Sequence, residues 1–211
     1  MKKFIFYCFI LVIIFCGCKS SNKENAVIYI ANKSYFLWFF DNEYQDVISF
    51  FPDSLINHFP KSYPISTKIY TYSHSKTDEI YWVTLTCDYV DTFNLNKKNS
   101  IIVSPNDSML YLVNKVMWDE NDGYFEKLEK MNYNFIALPY FKEEEFSTNL
   151  TECKLPLDFV IYIIESKEGI FLSKEYFSKN EYSAEKLKNG FSRGYAISNK
   201  RNIIIFWLII W

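Results

Sequence analysis

Arg193-Gly194-Tyr195-Ala196-Ile197-Ser198, Asn199-Lys200-Arg201-Asn202 and Ile203-Ile204-Ile205-Phe206-Trp207-Leu208-Ile209-Ile210-Trp211 close the chain. Two apolar, β-branched and aromatic runs flank four polar turn-formers, so the segment reads as strand, turn, strand. The last run contains no polar residue, whereas a strand with one wet face alternates apolar and polar positions. It is therefore expected to be a buried strand covered on both faces. As a helix it would be too short to cross a bilayer, which takes about 20 residues. It also lacks the alternation of a lipid-facing barrel strand.

The same reasoning extends outward. Phe159 to Ile164 is apolar on both faces and suits a central strand. Ser183 is placed to cap a helix running through Lys188, with Gly190 as its left-handed terminus. Ile80 to Val90 alternates, with Tyr81, Val83, Leu85, Cys87 and Tyr89 as the core face and Trp82, Thr84, Thr86 and Asp88 opposite. Ile65 to Ser73 alternates more weakly, and the polar residues after it form a loop. Ala26 to Ala31, Ile101 to Val103 and Phe135 to Tyr140 are expected to be extended. Leu110 to Val116 is a further apolar run, and Ser104 to Asp107 carries turn chemistry. Tyr44, Val47, Ile48 and Phe51 recur at helical spacing, and Pro52 to Phe59 reads as a second helix with Pro at its first position. Tyr124, Leu128 and Met131 mark a short amphipathic helix, and Glu143 to Glu145 a solvated loop. The expected class is α+β: a mainly antiparallel sheet with a few short helices, forming a single domain over residues 26–211.

The opposite end of the chain concerns location. Lys2 and Lys3 precede an apolar run from Phe4 to Phe15, which is the pattern of an export signal. Phe15-Cys16-Gly17-Cys18 then places a small residue directly before a cysteine, and this resembles a bacterial lipobox. The resemblance implies that residues 1–17 are a signal peptide, and that the Cys18 sulfur receives a diacylglycerol. It also implies that the new amino terminus is acylated, typically with palmitate. Residues 18–25 are polar and read as the lipidated cysteine and its tether. Two or three acyl chains, at about 0.8 kcal/mol per buried CH₂, hold a protein stably on a membrane. Lys19 stands where the enteric lipoproteins carry Asp for inner-membrane retention, which favours the outer membrane, on its periplasmic or surface face. Cys16-Gly17-Cys18-Lys19 and the ending from Gly194 to Trp211 are together similar to small lipoproteins of Bacteroidota. That likeness implies residence in the cell envelope and supplies no activity.

Charge narrows the partners. Without residues 1–17 the 23 basic side chains become 21 against 25 acidic ones, a formal charge of −4. No basic excess is left to neutralise a phosphate backbone, so nucleic acid is not an expected partner. Aromatic residues make up 20% of the sequence. They are read first as core material and as the residues of AT-rich codons, and second, where exposed, as platforms for sugar rings. Cys8 and Cys16 leave with the signal peptide, and Cys87 and Cys153 remain as a pair that could form a disulfide in an oxidising envelope or stay as thiols.

No catalytic motif stands out. The sequence has two imidazoles, His58 and His74, and neither accompanies a Gly-x-Ser-x-Gly elbow. There is no zinc-binding His-Glu-x-x-His, no phosphate-cradling glycine loop and no dinucleotide fingerprint, so no cofactor and no metal is expected. Asp53-Ser54-Leu55 and Asp107-Ser108-Met109 resemble the short acceptor of envelope O-glycosylation in Bacteroidota. The reading is a lipid-anchored envelope protein with a non-enzymatic binding or interaction role of immunity or accessory type. Its partners would be the membrane, through Cys18, and a protein or glycan. The alternatives are a glycan-binding accessory using Trp38, Trp82 and Trp118, and an envelope hydrolase using His58 or His74.

Overall fold

The computed structural model describes residues 38–73, 80–88, 91, 93–115, 130, 135–141, 150–176 and 189–211. The chain divides into two compact units, Met1–Asn42 and Glu43–Trp211. Residues 38–42 are the described part of the first and are helical. The signal peptide, Cys18, the tether, the strand at 26–31, His74, Trp118, the helix at 124–131, the Glu143–Glu145 loop and the helix after Ser183 lie outside, or almost wholly outside, the described residues.

The second unit opens with helix α1 (residues 43–50) and helix α2 (Asp53–Ile56). Eight strands follow among the described residues: β1 (Thr67–Ser73), β2 (Tyr81–Asp88), β3 (Ile101–Val103), β4 (Leu110–Leu112), β5 (Ile136–Leu138), β6 (Val160–Glu168), β7 (Gly190–Ser198) and β8 (Ile203–Ile210). Six of them form one antiparallel sheet in the order β1-β2-β8-β7-β6-β3, while β4 and β5 pair in parallel. The unit is thus mostly antiparallel sheet with a few short helices, roughly the α+β class.

The C-terminal hairpin forms the middle of the sheet. β8 bonds β2 on one side and β7 on the other, and all eight of its side chains are buried. Its even-numbered residues, Ile204, Phe206, Leu208 and Ile210, enter the layer beneath α1 and α2 with Tyr44, Val47, Phe51 and Leu55. Its odd-numbered residues, Ile203, Ile205, Trp207 and Ile209, enter a second layer with β4, β5, Phe141, Cys153 and Phe159. Because side chains alternate along a strand, only a strand covered on both faces is apolar at every position.

Several local expectations change. Thr84 and Thr86 of β2 are buried, because the face opposite Tyr81 and Val83 is also covered. Thr84 shares a 2.6 Å hydroxyl bond with Thr71 across the β1–β2 pair. Pro52 occupies the N-cap of α2, one position earlier than predicted, and its carbonyl accepts from Leu55 N–H at 2.8 Å. Gly190 opens β7 without a left-handed φ and exchanges backbone bonds of 2.9 and 3.0 Å with Trp211. A Cβ there would lie 2.7 Å from the Trp211 ring. Close approach, not a left-handed turn, requires the glycine. β6 is interior but one strand from the edge, and Val160 is exposed.

Candidate functional site

An open cleft of ≈ 900 Å³ lies between the turn after β3, the loop before β6 and the β7–β8 turn. The first wall is fixed by turn chemistry. Asp107 Oδ1 accepts from Met109 N–H at 2.8 Å, and Ser104 Oγ donates to Asn106 Oδ1 at 2.7 Å. The second wall is a tight reversal in which Leu150 bridges Pro156 and Lys154 takes a positive φ of 68°. Thr151 Oγ1 secures it by donating to Leu155 O at 2.7 Å. Leu110, Leu112 and Cys153 are buried lining residues, while Ser108, Glu152, Leu157 and Lys200 are exposed ones.

The third wall carries a charged clamp. Arg201 meets Asp158 through Nε at 3.0 Å and a second nitrogen at 3.1 Å, and Ser198 Oγ donates to Asp158 at 2.5 Å. Burial alone would raise the Asp158 carboxyl, but the Arg201 and Ser198 hydrogen bonds hold it below the usual carboxylate range. The forked guanidinium fits this two-point contact where an ammonium would not.

Arg193, the other arginine of the sequence, braces the opposite end of the hairpin. It is only 8% exposed. It donates to Glu165 at 2.9 Å, to Asn57 Oδ1 at 2.7 Å and to the Leu55 carbonyl at 3.3 Å. A register shift between Ile163 and Glu165 brings that glutamate opposite Arg193. Glu165 also contacts Lys167; the Lys167 hydrogen bond, ahead of Arg193, lowers its carboxyl.

His58 is not in the cleft. Its ring packs against Phe59 and Tyr195, and Nε2 lies 3.0 Å from the Trp207 carbonyl. A carbonyl only accepts, so Nε2 carries the proton and Nδ1, buried without a hydrogen-bond partner, holds the lone pair. Burial, supported by the nearby Arg193 charge, pushes the imidazole down to about 3. Such a ring is an anchoring strut for the α2 loop on β8, and among the described residues no hydroxyl is hydrogen-bonded to it in the position of a nucleophile.

Cys87 and Cys153 are not brought together. Cys87 packs in the layer under the helices and Cys153 in the other layer, with the sheet between them. Burial raises the Cys153 thiol, and Sγ donates to Pro105 O at 3.5 Å. Trp82 is half-buried against the core, whereas Trp38 is exposed. Ser54 and Ser108 are both exposed, Ser108 at the cleft. Among the described residues no group of three His, Cys, Asp or Glu side chains is placed to hold a metal ion. No helix among them is long and apolar enough to cross a membrane. The cleft and its Asp158–Arg201 clamp escaped the sequence reading. The retained signal was the use of arginine at only two positions, both in the final hairpin.

Compared with protein families, curated proteins and solved structures, the chain matches none.

Proposed function

We propose that this is a lipid-anchored envelope protein of small bacterial lipoprotein type, held through Cys18 and probing its surroundings with a non-enzymatic binding cleft. In this reading residues 1–17 are removed, the outer membrane is the site of residence, and residues 26–211 act as one α+β domain of immunity or accessory type. The cleft carries the reading: it is wide, its floor includes Leu110 and Leu112, and its charged wall is already held in place by Asp158 and Arg201. A preorganised wall lowers the ordering cost of association. The burial of the His58 ring speaks against it as the base of a hydrolase, while His74 lies outside the described residues.

Two measurements test it. Intact-mass analysis of protein from the membrane fraction is expected to find a chain beginning at Cys18 with lipid attached; an unmodified chain beginning at Met1 refutes the anchoring. A photo-crosslinking residue at position 157, on the cleft, is expected to give a discrete adduct in cells. The same residue at position 54, on α2, should not. Identical patterns from both positions refute the cleft as the binding face.

A further inference from the structure

β3 ends the six-stranded sheet, and among the described residues no strand lies beyond it. Such an edge carries unpaired N–H and C=O groups, which proteins that stay monomeric shield with charge, proline or a bulge in the edge strand. Here the edge strand is Ile-Ile-Val. Ile101 is 57% exposed and Ile102 62%, and Val160 at the start of the neighbouring β6 is exposed too. Side chains alternate across a sheet, so Ile102 stands with its partner Tyr162 on the face that α1 and α2 cover further in, and Ile101 with Ile163 on the other. The edge is thus apolar on both sides. We propose that β3 is a docking edge for a second copy of this chain, the two β3 strands pairing antiparallel about a two-fold axis at Ile102.

Length points to a folded partner. Three residues span only ~10 Å. A flexible peptide loses conformational entropy at every residue it fixes, and three ladder positions return little of it. A second copy presents its strand already ordered, with the same isoleucines beside it.

Charge and symmetry point to a copy of the same chain. β3 lies between two tight turns, in which Ser100 N–H donates to the Lys97 carbonyl at 3.3 Å and Asp107 N–H to the Ser104 carbonyl at 3.0 Å. The first turn carries the exposed Lys97 and Lys98, with the Lys97 ammonium 4.9 Å from the centre of the Tyr162 ring, and no acidic residue occurs between Asp91 and Asp107. The second ends on Asp107 and borders the cleft, where Asp158 is paired with Arg201 and the exposed Glu152 and Lys200 add one charge of each sign. One end of the strand is basic and the other mildly acidic. An isologous pairing about Ile102 sets the basic turn of each copy beside the acidic turn of the other. A parallel pairing would set lysines against lysines, which is unfavourable. So short an edge falls below the ~800 Å² per partner of a standard interface, and the dimer is expected to be transient.

The test introduces single cysteines into the full chain and reads disulfide dimers on non-reducing gels after mild oxidation. Opposed Cα atoms of an antiparallel pair lie about 4.5–5.5 Å apart, within disulfide reach. In Ile102→Cys the new thiol meets its own copy on the axis. In Ile101→Cys the equivalent thiols are two positions apart along the strands, with Cα atoms ~8 Å apart and out of reach. Ile102→Cys is expected to give at least about tenfold more covalent dimer than Ile101→Cys or the wild type, which carries the native cysteines into the same comparison. Adding Lys97→Glu and Lys98→Glu to Ile102→Cys makes both ends of the strand acidic and should lower the yield several-fold. The substituted side chains are exposed, so all variants should share one thermal midpoint. Equal linking at 101 and 102, no linking at 102, or an adduct whose mass is not twice that of the chain overturns the proposal. So does a yield that the two glutamates leave unchanged.

Discussion

Acidification should unfold this protein earlier than its carboxylates alone require, and His58 is the reason. In the folded chain burial holds its imidazole down to about 3, with Nε2 tied to the Trp207 carbonyl at 3.0 Å. In the unfolded chain it titrates near 6.5. The folded value is depressed, so between these limits the unfolded state binds the extra proton. Stability then rises with pH at up to about 1.4 kcal/mol per unit. From pH 8 to pH 5 the loss through His58 integrates to about 2 kcal/mol. The perturbation is His58→Gln, whose amide can still donate to the same carbonyl but does not titrate. Urea denaturation of both proteins at half-unit pH steps isolates the histidine, because all carboxylates are common to the two curves. The wild type should lose about 2 kcal/mol more than the variant over that interval, equivalent to a melting shift of about 4–8 °C for a chain this long. Parallel curves would refute the reasoning and place an accessible imidazole at position 58.

Three further outcomes follow from the sheet. Gly194→Ala should destabilise by about 1–3 kcal/mol or more, because the new Cβ would collide with the Tyr162 carbonyl and lie 2.9 Å from the Trp207 ring; an unchanged thermal midpoint would contradict the packing. Truncation after Asn202 should abolish cooperative folding, since burying each large apolar side chain contributes about 1.5–3 kcal/mol and β8 contributes eight buried residues; a soluble truncation with a sharp melt would remove β8 from the core. Arg193→Met should cost about 1–3 kcal/mol by removing the donor to the buried Leu55 carbonyl and to the half-buried Glu165, and the Arg193→Met/Glu165→Gln double variant should recover part of it; strictly additive effects in the cycle would deny the ion pair.

The central strand was the most legible element because its signal is compositional. A run with no polar residue has one fold-compatible place in a sheet, and Ile203 to Trp211 takes it. The α1 stripe of Tyr44, Val47 and Ile48 was legible for the complementary reason, a helical period against one covered face. Gly190 misled because glycine marks both left-handed turns and close approach, and only the Trp211 ring, twenty-one residues later, distinguishes them. Thr84 and Thr86 misled because a threonine pairs its hydroxyl across a strand as readily as it meets water, so polarity did not report exposure. The cleft was invisible. Its walls come from residues 105–112, 150–158 and 200–201, which no local pattern links.

Both faces of β8 are buried, and β7 carries Gly194 and Ala196 against the Trp207 layer. Each end of the hairpin is held by an arginine reaching a carboxylate beside or within β6. Arg193 closes its end against α2 and is sealed from water. Arg201 faces the open cleft, and two sides of its guanidinium are already committed to Asp158. The cleft therefore offers one wall whose Asp158 and Arg201 charges are already paired, beside the exposed Glu152, Lys200 and Ser108, the Leu157 side chain at the lip and an apolar floor.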